Sequence, residues 1–444
     1  MTASILTEAP AQRALVLHPD RSARDDQRTA LARLAEARRL AAALDLEVVA
    51  ARIAPLRAPT PATLIGPGKV AEIGALVSEL ALDVVVLDDA LSPSQQRNLE
   101  RAWKAKVIDR TGLILEIFAR RARTREGRLQ VELARLAYEA SRLVRTWTHL
   151  ERQRGGFGAM GGTMGGPGET QIESDRRMIR ERIARMKREL EEVRRTRTLA
   201  RQARRRTPFS VIALVGYTNA GKSTLFNRLT ASAVDARDLL FATLDPTMRR
   251  LKLPGGRPAI LADTVGFISG LPHELVEAFR ATLEEVKEAD IVVHVRDIAS
   301  PDSDAEAEDV RRVLAELGAG EAASQRMLEV WNKVDLLDEP ARELVEARAA
   351  ALKSGAVAVS AATGEGMDRL VERLIGLVDE GPMVTVELPA GDGEGLAWLY
   401  RHGRVVGREA PDDEHVIVRA RLDAPTLARF DRLRPNAASV ADAG

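Results

Sequence analysis

An apolar run followed by a loop with two glycines restricts this chain to few folds. The run is Phe209–Val215, and the loop reads G-x-x-x-x-G-K-S from Gly216 to Ser223. Glycine lets the backbone curl so that successive N–H groups point inward, and a helix that begins near Lys222 adds the positive end of its dipole. A strand, an anion-binding loop and a helix in this order predict an α/β domain of the P-loop type.

Three further segments lie where a P-loop GTPase needs them, each after an apolar run: Asp263-Thr264-Val265-Gly266, Asn332-Lys333-Val334-Asp335 and Ser360-Ala361-Ala362. In such a site Lys222 reaches the β- and γ-phosphates, and the Ser223 hydroxyl ligates Mg²⁺. Asp263 can hold the ion through water, and the Gly266 amide can sense the γ-phosphate. The Asp335 carboxylate can accept two hydrogen bonds from guanine, a pair that adenine does not offer. The motifs in this order predict GTP binding and hydrolysis.

Residues 13–111 alternate short apolar runs with helical patterns. The predicted strands are Ala14–Leu17, Val48–Ile53 and Val84–Leu87, and the predicted helices are Asp25–Leu44, Lys69–Leu80 and Ser92–Lys106. Apolar strands that alternate with helices predict a small α/β domain with a parallel sheet. The segment IGPGKV at Ile65–Val70 lacks the P-loop spacing, so we interpret it as a Gly/Pro turn before a helix.

Two helical seams flank a glycine-rich stretch in the middle of the chain. Apolar residues recur at alternating spacings of four and three, at Leu129, Leu133, Leu136, Ala140, Leu143, Trp147 and Leu150 and again at Ile179, Ile183, Met186, Leu190 and Val193. Between them, Gly155–Gly168 holds eight glycines in fourteen residues, which disfavours a continuous helix. We therefore predict two antiparallel helices with a flexible loop at the tip, forming an arm of roughly 42 Å from Glu126 to Gln153.

The charge distribution is uneven, although the net charge of the chain is only +1. Residues 112–207 carry a net charge of +12, and the rest of the chain carries −11. Such a split often marks an element that binds a polyanion, and a solvated coiled coil is the alternative. The chain has no cysteine, which excludes disulfides, thiolate metal sites and cysteine nucleophiles. The sequence contains neither a long apolar run nor a secretory signal, so we expect no membrane span.

These patterns predict a multidomain α/β protein with four parts. They are an N-terminal α/β domain (1–112), the basic two-helix arm (113–207), a GTPase domain with a mixed sheet flanked by helices (208–381) and a small α+β module (382–444). The basic stretch Arg201–Pro208 ends in proline and marks the start of the GTPase domain. In the last module we predict strands at Val384–Leu388, Leu396–Tyr400 and Glu414–Ala420 and a helix at Pro425–Leu433.

The chain resembles the HflX family of translation-associated GTPases. The resemblance rests on GYTNAGKSTLFN (216–227), FATLDPT (241–247), DTVGFI (263–268) and NKVD (332–335), and also on residues 109–134 and the loop GGFGAMGGTMGGPGETQIE (155–173). It implies a cytoplasmic protein that binds the large (50S) ribosomal subunit and its rRNA. It also implies a role in splitting or rescue of stalled ribosomes, in translation or in ribosome biogenesis. We expect a monomer, because the arm can satisfy its own seam.

The resemblance further implies that FATLDPT is the switch I segment, with Thr243 as the second protein ligand of Mg²⁺ and Thr247 as the alternative. The expected Mg²⁺ ligands are thus Ser223 and Thr243, and the expected catalytic residues are Lys222, Thr243 and Gly266. A backbone amide in the last motif can reach the guanine carbonyl. The expected nucleotide-binding residues are Gly216, Tyr217, Thr218, Asn219, Ala220, Gly221, Lys222, Ser223, Thr224, Phe241, Ala242, Thr243, Leu244, Asp245, Asp263, Thr264, Val265, Gly266, Asn332, Lys333, Val334, Asp335, Ser360, Ala361 and Ala362.

Phe267 stands where Ras-like GTPases carry the glutamine that orients the attacking water. A phenyl ring cannot hydrogen-bond water, so we expect slow intrinsic hydrolysis that a partner such as the ribosome, a cation or another residue accelerates. K⁺ held at Asn219 is one hypothesis, and a structural asparagine in a tight turn is its alternative. An RNA-binding or RNA-remodelling protein with a secondary GTPase activity is the alternative function. A small-molecule kinase is disfavoured by N-K-x-D.

Overall fold

In the computed structural model, the chain forms two compact units. The first holds Met1–Arg195, Arg237–Asp245 and Ser269–Arg280, and the second holds Thr196–Ala236, Pro246–Ile268 and Ala281–Gly444. The structure describes residues 11–441 apart from 22–27, 155–166, 206–209, 232–240, 242, 245–246, 255–258, 271–285, 317, 319–326, 353–354, 379–382, 412, 423 and 435–437. Within these residues, no helix is both long enough and apolar enough to cross a membrane.

The first unit begins with a four-stranded parallel sheet. Its strands are β1 (Arg13–Asp20), β2 (Glu47–Pro55), β3 (Val84–Leu87) and β4 (Lys106–Asp109), in the order β2-β1-β3-β4. The helices are α1 (Ala30–Ala42), α2 (Pro67–Glu79), α3 (Pro93–Trp103) and α4 (Arg110–Arg121). The parallel α/β prediction is confirmed, and the Gly/Pro turn does precede a helix, since Gly66 is the N-cap of α2.

The sequence pattern missed β4. The helix predicted at Ser92–Lys106 is too long at its carboxyl end, because α3 stops at Trp103. Lys104 then takes a left-handed conformation with φ 52°, which ends the helix and turns the chain into β4. The four strand residues of β4 were too few to show a pattern of their own.

Two long helices follow, α5 (Arg125–Arg154) and α6 (Pro167–Arg205), which confirms the predicted helix pair. The glycine-rich tip at 155–166 lies outside the described residues. Arg182 Nη2 on α6 donates to Glu132 Oε1 on α5 at 2.7 Å. The seam of α6 is its less exposed face, with Leu190 buried.

The helix α5 buries more than its predicted seam. Val131 and Ala134 are buried beside the seam residue Leu136. The reason is that α5 also packs on α3 and α4, so that its first turns have neighbours on more than one side. The predicted boundary between residues 112 and 113 falls inside α4, which runs from Arg110 to Arg121.

The second unit contains a six-stranded sheet. Its strands are β5 (Ser210–Val215), β6 (Thr247–Leu251), β7 (Ala259–Asp263), β8 (Ile291–Asp297), β9 (Met327–Asn332) and β10 (Ala356–Ala358), in the order β10-β9-β8-β5-β7-β6. Only β6 runs antiparallel to its neighbour among these strands, so the predicted mixed sheet is confirmed. The helices are α7 (Lys222–Thr230), α8 (Ser303–Glu316), α9 (Glu339–Ala351) and α10 (Met367–Val378). The four predicted motifs lie at the carboxyl ends of β5, β7, β9 and β10, in that order along the chain.

The last module is β11 (Met383–Pro389), α11 (Gly393–His402), β12 (Arg404–Glu409), β13 (His415–Arg421), α12 (Ala424–Leu433) and β14 (Ala438–Ala441). The antiparallel sheet has the order β12-β13-β11-β14, which is a ferredoxin-like arrangement. The predicted strand Leu396–Tyr400 is wrong, because this segment lies in α11. The Asp392 side chain caps that helix by accepting from the Gly395 amide at 2.8 Å, and Leu399 on α11 is buried in the core.

Candidate nucleotide-binding site

The phosphate loop follows β5 and has a backbone that only glycine accommodates at two points. Gly216 has φ 151° and Gly221 has φ 93°, both in the left-handed region. A Cβ on Gly216 would lie 2.2 Å from the Val295 carbonyl oxygen, and a Cβ on Gly221 would lie 2.2 Å from Asn332 Nδ2. The loop is therefore packed tightly from behind, and its shape is fixed by neighbours on β8 and β9.

Lys222 opens α7 and is buried. Its Nζ donates to the carbonyl oxygens of Gly216 at 3.0 Å and Tyr217 at 2.7 Å, so the ammonium lies across the loop. Burial lowers the pKa of Lys222 to about 8, and the nearby Asp263 carboxylate acts in the opposite direction. A buried cation whose two hydrogen bonds go to neutral carbonyls can gain strongly from an anionic phosphate.

Ser223 and Asp263 meet beside this lysine. The Ser223 hydroxyl donates to Asp263 Oδ2 at 2.8 Å, which joins the start of α7 to the end of β7. A hydroxyl and a carboxylate are hard oxygen donors of the kind that Mg²⁺ prefers, so the pair fits this ion. Within the part of the chain that the structure describes, no three His, Asp or Glu side chains cluster around a metal position.

The D-T-V-G segment is bonded to the phosphate loop. The Phe267 amide donates to the Gly216 carbonyl at 3.1 Å, and the Thr218 amide donates to the Phe267 carbonyl at 2.7 Å. A Cβ on Gly266 would lie 2.9 Å from Thr218 Cγ2 and 3.2 Å from Lys222 Nζ, so Gly266 lies beside the lysine head. The Phe267 ring is buried.

Asn332 connects the phosphate loop to the loop at Ser360–Ala362. Its Nδ2 donates to the Ala220 carbonyl at 2.8 Å, and its Oδ1 accepts from the Ala361 amide at 2.9 Å. Next to it, Lys333 Nζ donates to Asp297 Oδ2 at 2.7 Å, while Asp335 is exposed. Within the N-K-x-D motif, the side-chain amide of Asn332 thus bridges two loops, and the carboxylate of Asp335 is accessible to a base.

The remaining predicted residues have different surroundings. Thr264 Oγ1 donates to the Leu214 carbonyl at 2.6 Å, and Thr224 lies in the first turn of α7. Val265, Val334 and Leu244 are buried apolar side chains. Of the predicted switch I residues, Ala242, Asp245 and Pro246 lie outside the described residues.

The described switch I residues Phe241, Thr243 and Leu244 belong to the first unit. The Phe241 ring packs edge to face on Phe118, with centroids 4.5 Å apart, and Thr243 is buried. Thr247 begins β6 in the second unit. The choice of Thr243 as a Mg²⁺ ligand stays a prediction.

Sequence reasoning missed the contacts of two arginines. Within the first unit, Arg110 Nη2 donates to the Ser269 carbonyl at 2.8 Å, and the Ser269 hydroxyl donates to Glu36 Oε1 at 3.2 Å. Within the second unit, Arg228 donates to the carbonyls of Ala361 and Ala362. Neither arginine stands in a motif whose spacing reports on such a contact, so no local signal marked them.

Four family models match the chain in sequence order. Their descriptions are GTP-binding GTPase N-terminal (residues 32–119), GTP-binding GTPase middle region (121–204), 50S ribosome-binding GTPase (211–333) and HflX C-terminal domain (345–441). The protein named GTPase HflX from Magnetococcus marinus is 53% identical over 84% of either chain. The GTPase HflX from Escherichia coli is 45% identical over 85% of this chain and 87% of its own. A solved GTP-binding protein from Sulfolobus solfataricus in complex with GDP is 24% identical, with a TM-score of 0.45 over 83% of this chain and 99% of that one.

Proposed function

Because the chain belongs to the HflX family of GTPases and is itself a GTP hydrolase, we propose that it binds the large ribosomal subunit and acts in the splitting or rescue of stalled ribosomes. The observation that carries this proposal is the basic arm of α5 and α6, within a segment of net charge +12. Ribosomal RNA is the polyanion that such an arm would meet in a cytoplasmic protein of this family.

The described part of α6 presents its basic side chains to solvent. Exposed residues on it include Arg177, Arg180, Arg182, Arg185, Lys187 and Arg188. Each phosphate that such cations neutralise releases counterions, so binding would fall steeply as salt rises. The tip at Gly155–Gly168 carries few large side chains, and its backbone would approach RNA closely.

At the nucleotide site, Ser223 and the predicted Thr243 would hold Mg²⁺, with Asp263 acting through water. The bound ion neutralises charge on the phosphates. Lys222 would exchange its two loop carbonyls for phosphate oxygens, and the Gly266 amide beside it would respond to the γ-phosphate. Since Phe267 supplies no polar group, intrinsic hydrolysis would be slow and the ribosome would stimulate it.

The test replaces Gly155–Gly168 with a short turn and measures binding to 50S subunits, GTP hydrolysis alone and hydrolysis with 50S subunits. We expect hydrolysis alone to persist, while 50S binding and the 50S-stimulated rate fall. Full retention of both would contradict the proposal and leave the arm a solvated coiled coil.

Two matched double substitutions distinguish binding through the arm from an effect of the net charge of the whole chain. Arg180→Glu with Arg185→Glu changes the arm, and Arg408→Glu with Arg429→Glu makes the same change of charge in the last module, at residues that are likewise exposed. Only the first pair should reduce 50S binding and its salt dependence. An RNA-remodelling protein with a secondary GTPase activity would instead bind RNA without any change in its rate of GTP hydrolysis.

A further inference from the structure

A side chain of α7 holds the loop at Ser360–Ala362. Arg228 lies on the same helix that begins with Lys222, and it reaches that loop with two donors. Its Nε donates to the Ala361 carbonyl at 2.7 Å, and its Nη2 donates to the Ala362 carbonyl at 2.5 Å. Hydrogen bonds from a guanidinium are charge-assisted and stronger than neutral ones. The helix that begins at the phosphate loop therefore also fixes the loop that we expect to face the base.

Gly364 allows the guanidinium to lie this close. It has φ 99°, and a Cβ there would lie 2.7 Å from Arg228 Nη1. The guanidinium thus packs on the backbone of residues 361–364, with two hydrogen bonds and one close approach. Three contacts with one rigid planar group fix the orientation of this backbone better than a single bond would.

The amides of this loop are satisfied with one exception. The Ala361 amide donates to Asn332 Oδ1 at 2.9 Å, the Thr363 amide to Ser360 Oγ at 3.1 Å and the Gly364 amide to the Ser360 carbonyl at 2.8 Å. Among the residues that the structure describes, the Ala362 amide makes no hydrogen bond. It is therefore the donor in this loop that remains available to a ligand.

Arg228 controls where that donor points. The Ala361 carbonyl and the Ala362 N–H belong to one planar trans peptide, in which the two groups point in opposite directions. When Arg228 holds the carbonyl on one side, the N–H is directed to the other side. The charge on the guanidinium also polarises the peptide, which strengthens its N–H as a donor.

We propose that Arg228 is a positioning residue for guanine recognition, which aims the Ala362 amide at the carbonyl oxygen of the base. The inference rests on the nucleotide site proposed above. In that site Asp335 reads the imino and amino groups of guanine, and Arg228 acts through the loop on the carbonyl edge. Two separate elements then read two separate edges of one base.

The experiment uses the full chain with Arg228→Ala and measures the affinity for three diphosphates. GDP and inosine diphosphate carry the carbonyl, whereas 2-aminopurine riboside diphosphate lacks it and keeps the amino group. We expect affinity for the first two to fall about tenfold, the cost of one hydrogen bond to the base. Affinity for the third should not change. For GTP hydrolysis, KM should rise while kcat at saturation stays unchanged.

Two companion variants make the test specific. Arg228→Lys keeps one charged donor and should recover part of the affinity for GDP. Arg312→Ala removes an exposed arginine of α8 that pairs with Asp309 at 3.2 Å, and it should bind all three ligands like the parent protein. Equal losses for all three diphosphates in Arg228→Ala would overturn the proposal, because the residue would then only support the fold. The absence of any loss would overturn it as well.

Asp335→Asn distinguishes this proposal from the site on which it rests. If Asp335→Asn does not gain affinity for xanthine nucleotides, the guanine site itself is placed wrongly, and the role of Arg228 fails with it. If Asp335→Asn does gain that affinity, and Arg228→Ala still binds GDP like the parent protein, only the positioning role of Arg228 is wrong.

Discussion

Replacing Asn332 with alanine should loosen the phosphate loop and the loop at Ser360–Ala362 together. The side chain is 2% exposed and bridges the Ala220 carbonyl and the Ala361 amide at 2.8 and 2.9 Å. Its removal leaves one buried acceptor and one buried donor unsatisfied. Each such group costs about 1–3 kcal/mol, so the variant should lose about 2–6 kcal/mol in the free energy of unfolding of the GTPase domain.

Urea unfolding monitored by circular dichroism, with and without GDP, measures this loss. GDP affinity should fall by at least about tenfold, since the ligand must then order both loops. Asn98→Ala is the matched control, because Asn98 Nδ2 makes a single exposed bond to the Ala62 carbonyl at 3.0 Å in the first unit. It should cost about 1 kcal/mol or less. If Asn332→Ala unfolded at the parent urea concentration and bound GDP equally well, the bridge between the loops would have no energetic weight.

Other predictions concern ionisation, base choice and cations. The pKa of Lys222 is about 8, against its usual 10.5. Between these two pH values the unfolded chain binds a proton that the folded chain lacks, so the free energy of unfolding should rise with pH in this range. GDP affinity should fall as pH rises above about 8, because phosphate needs the ammonium form; a flat titration series would contradict this, and Lys222→Ala should abolish turnover. Asp335→Asn should weaken GTP binding and favour xanthosine triphosphate, and an unchanged Kd for GTP would refute the role of this carboxylate. If K⁺ binds at Asn219, hydrolysis should be faster in KCl than in NaCl, whereas equal rates would leave Asn219, with φ 63°, as a turn residue.

Sequence spacing predicted the parts of the site that depend on local backbone geometry. The glycines of the phosphate loop, Ser223 with Asp263, and the N-K-x-D motif after β9 all lie where strand ends place them. Contacts between residues distant in sequence left no local trace, as with Arg228, whose partners lie 133 and 134 positions away. The strand predicted at Leu396–Tyr400 failed because a short apolar run does not distinguish a buried strand from one face of a helix.

The interleaved course of the chain limits how this protein can be dissected. The first unit is discontinuous, since it takes up Arg237–Asp245 and Ser269–Arg280 from beyond Arg195. A fragment that ends at Arg195 would therefore lack Phe241 and Ser269. It would uncover the ring of Phe118 and remove a partner of Arg110. Truncation at Arg195 therefore alters the first unit as well as removing the second. Point substitutions report more cleanly on each unit than domain deletions do.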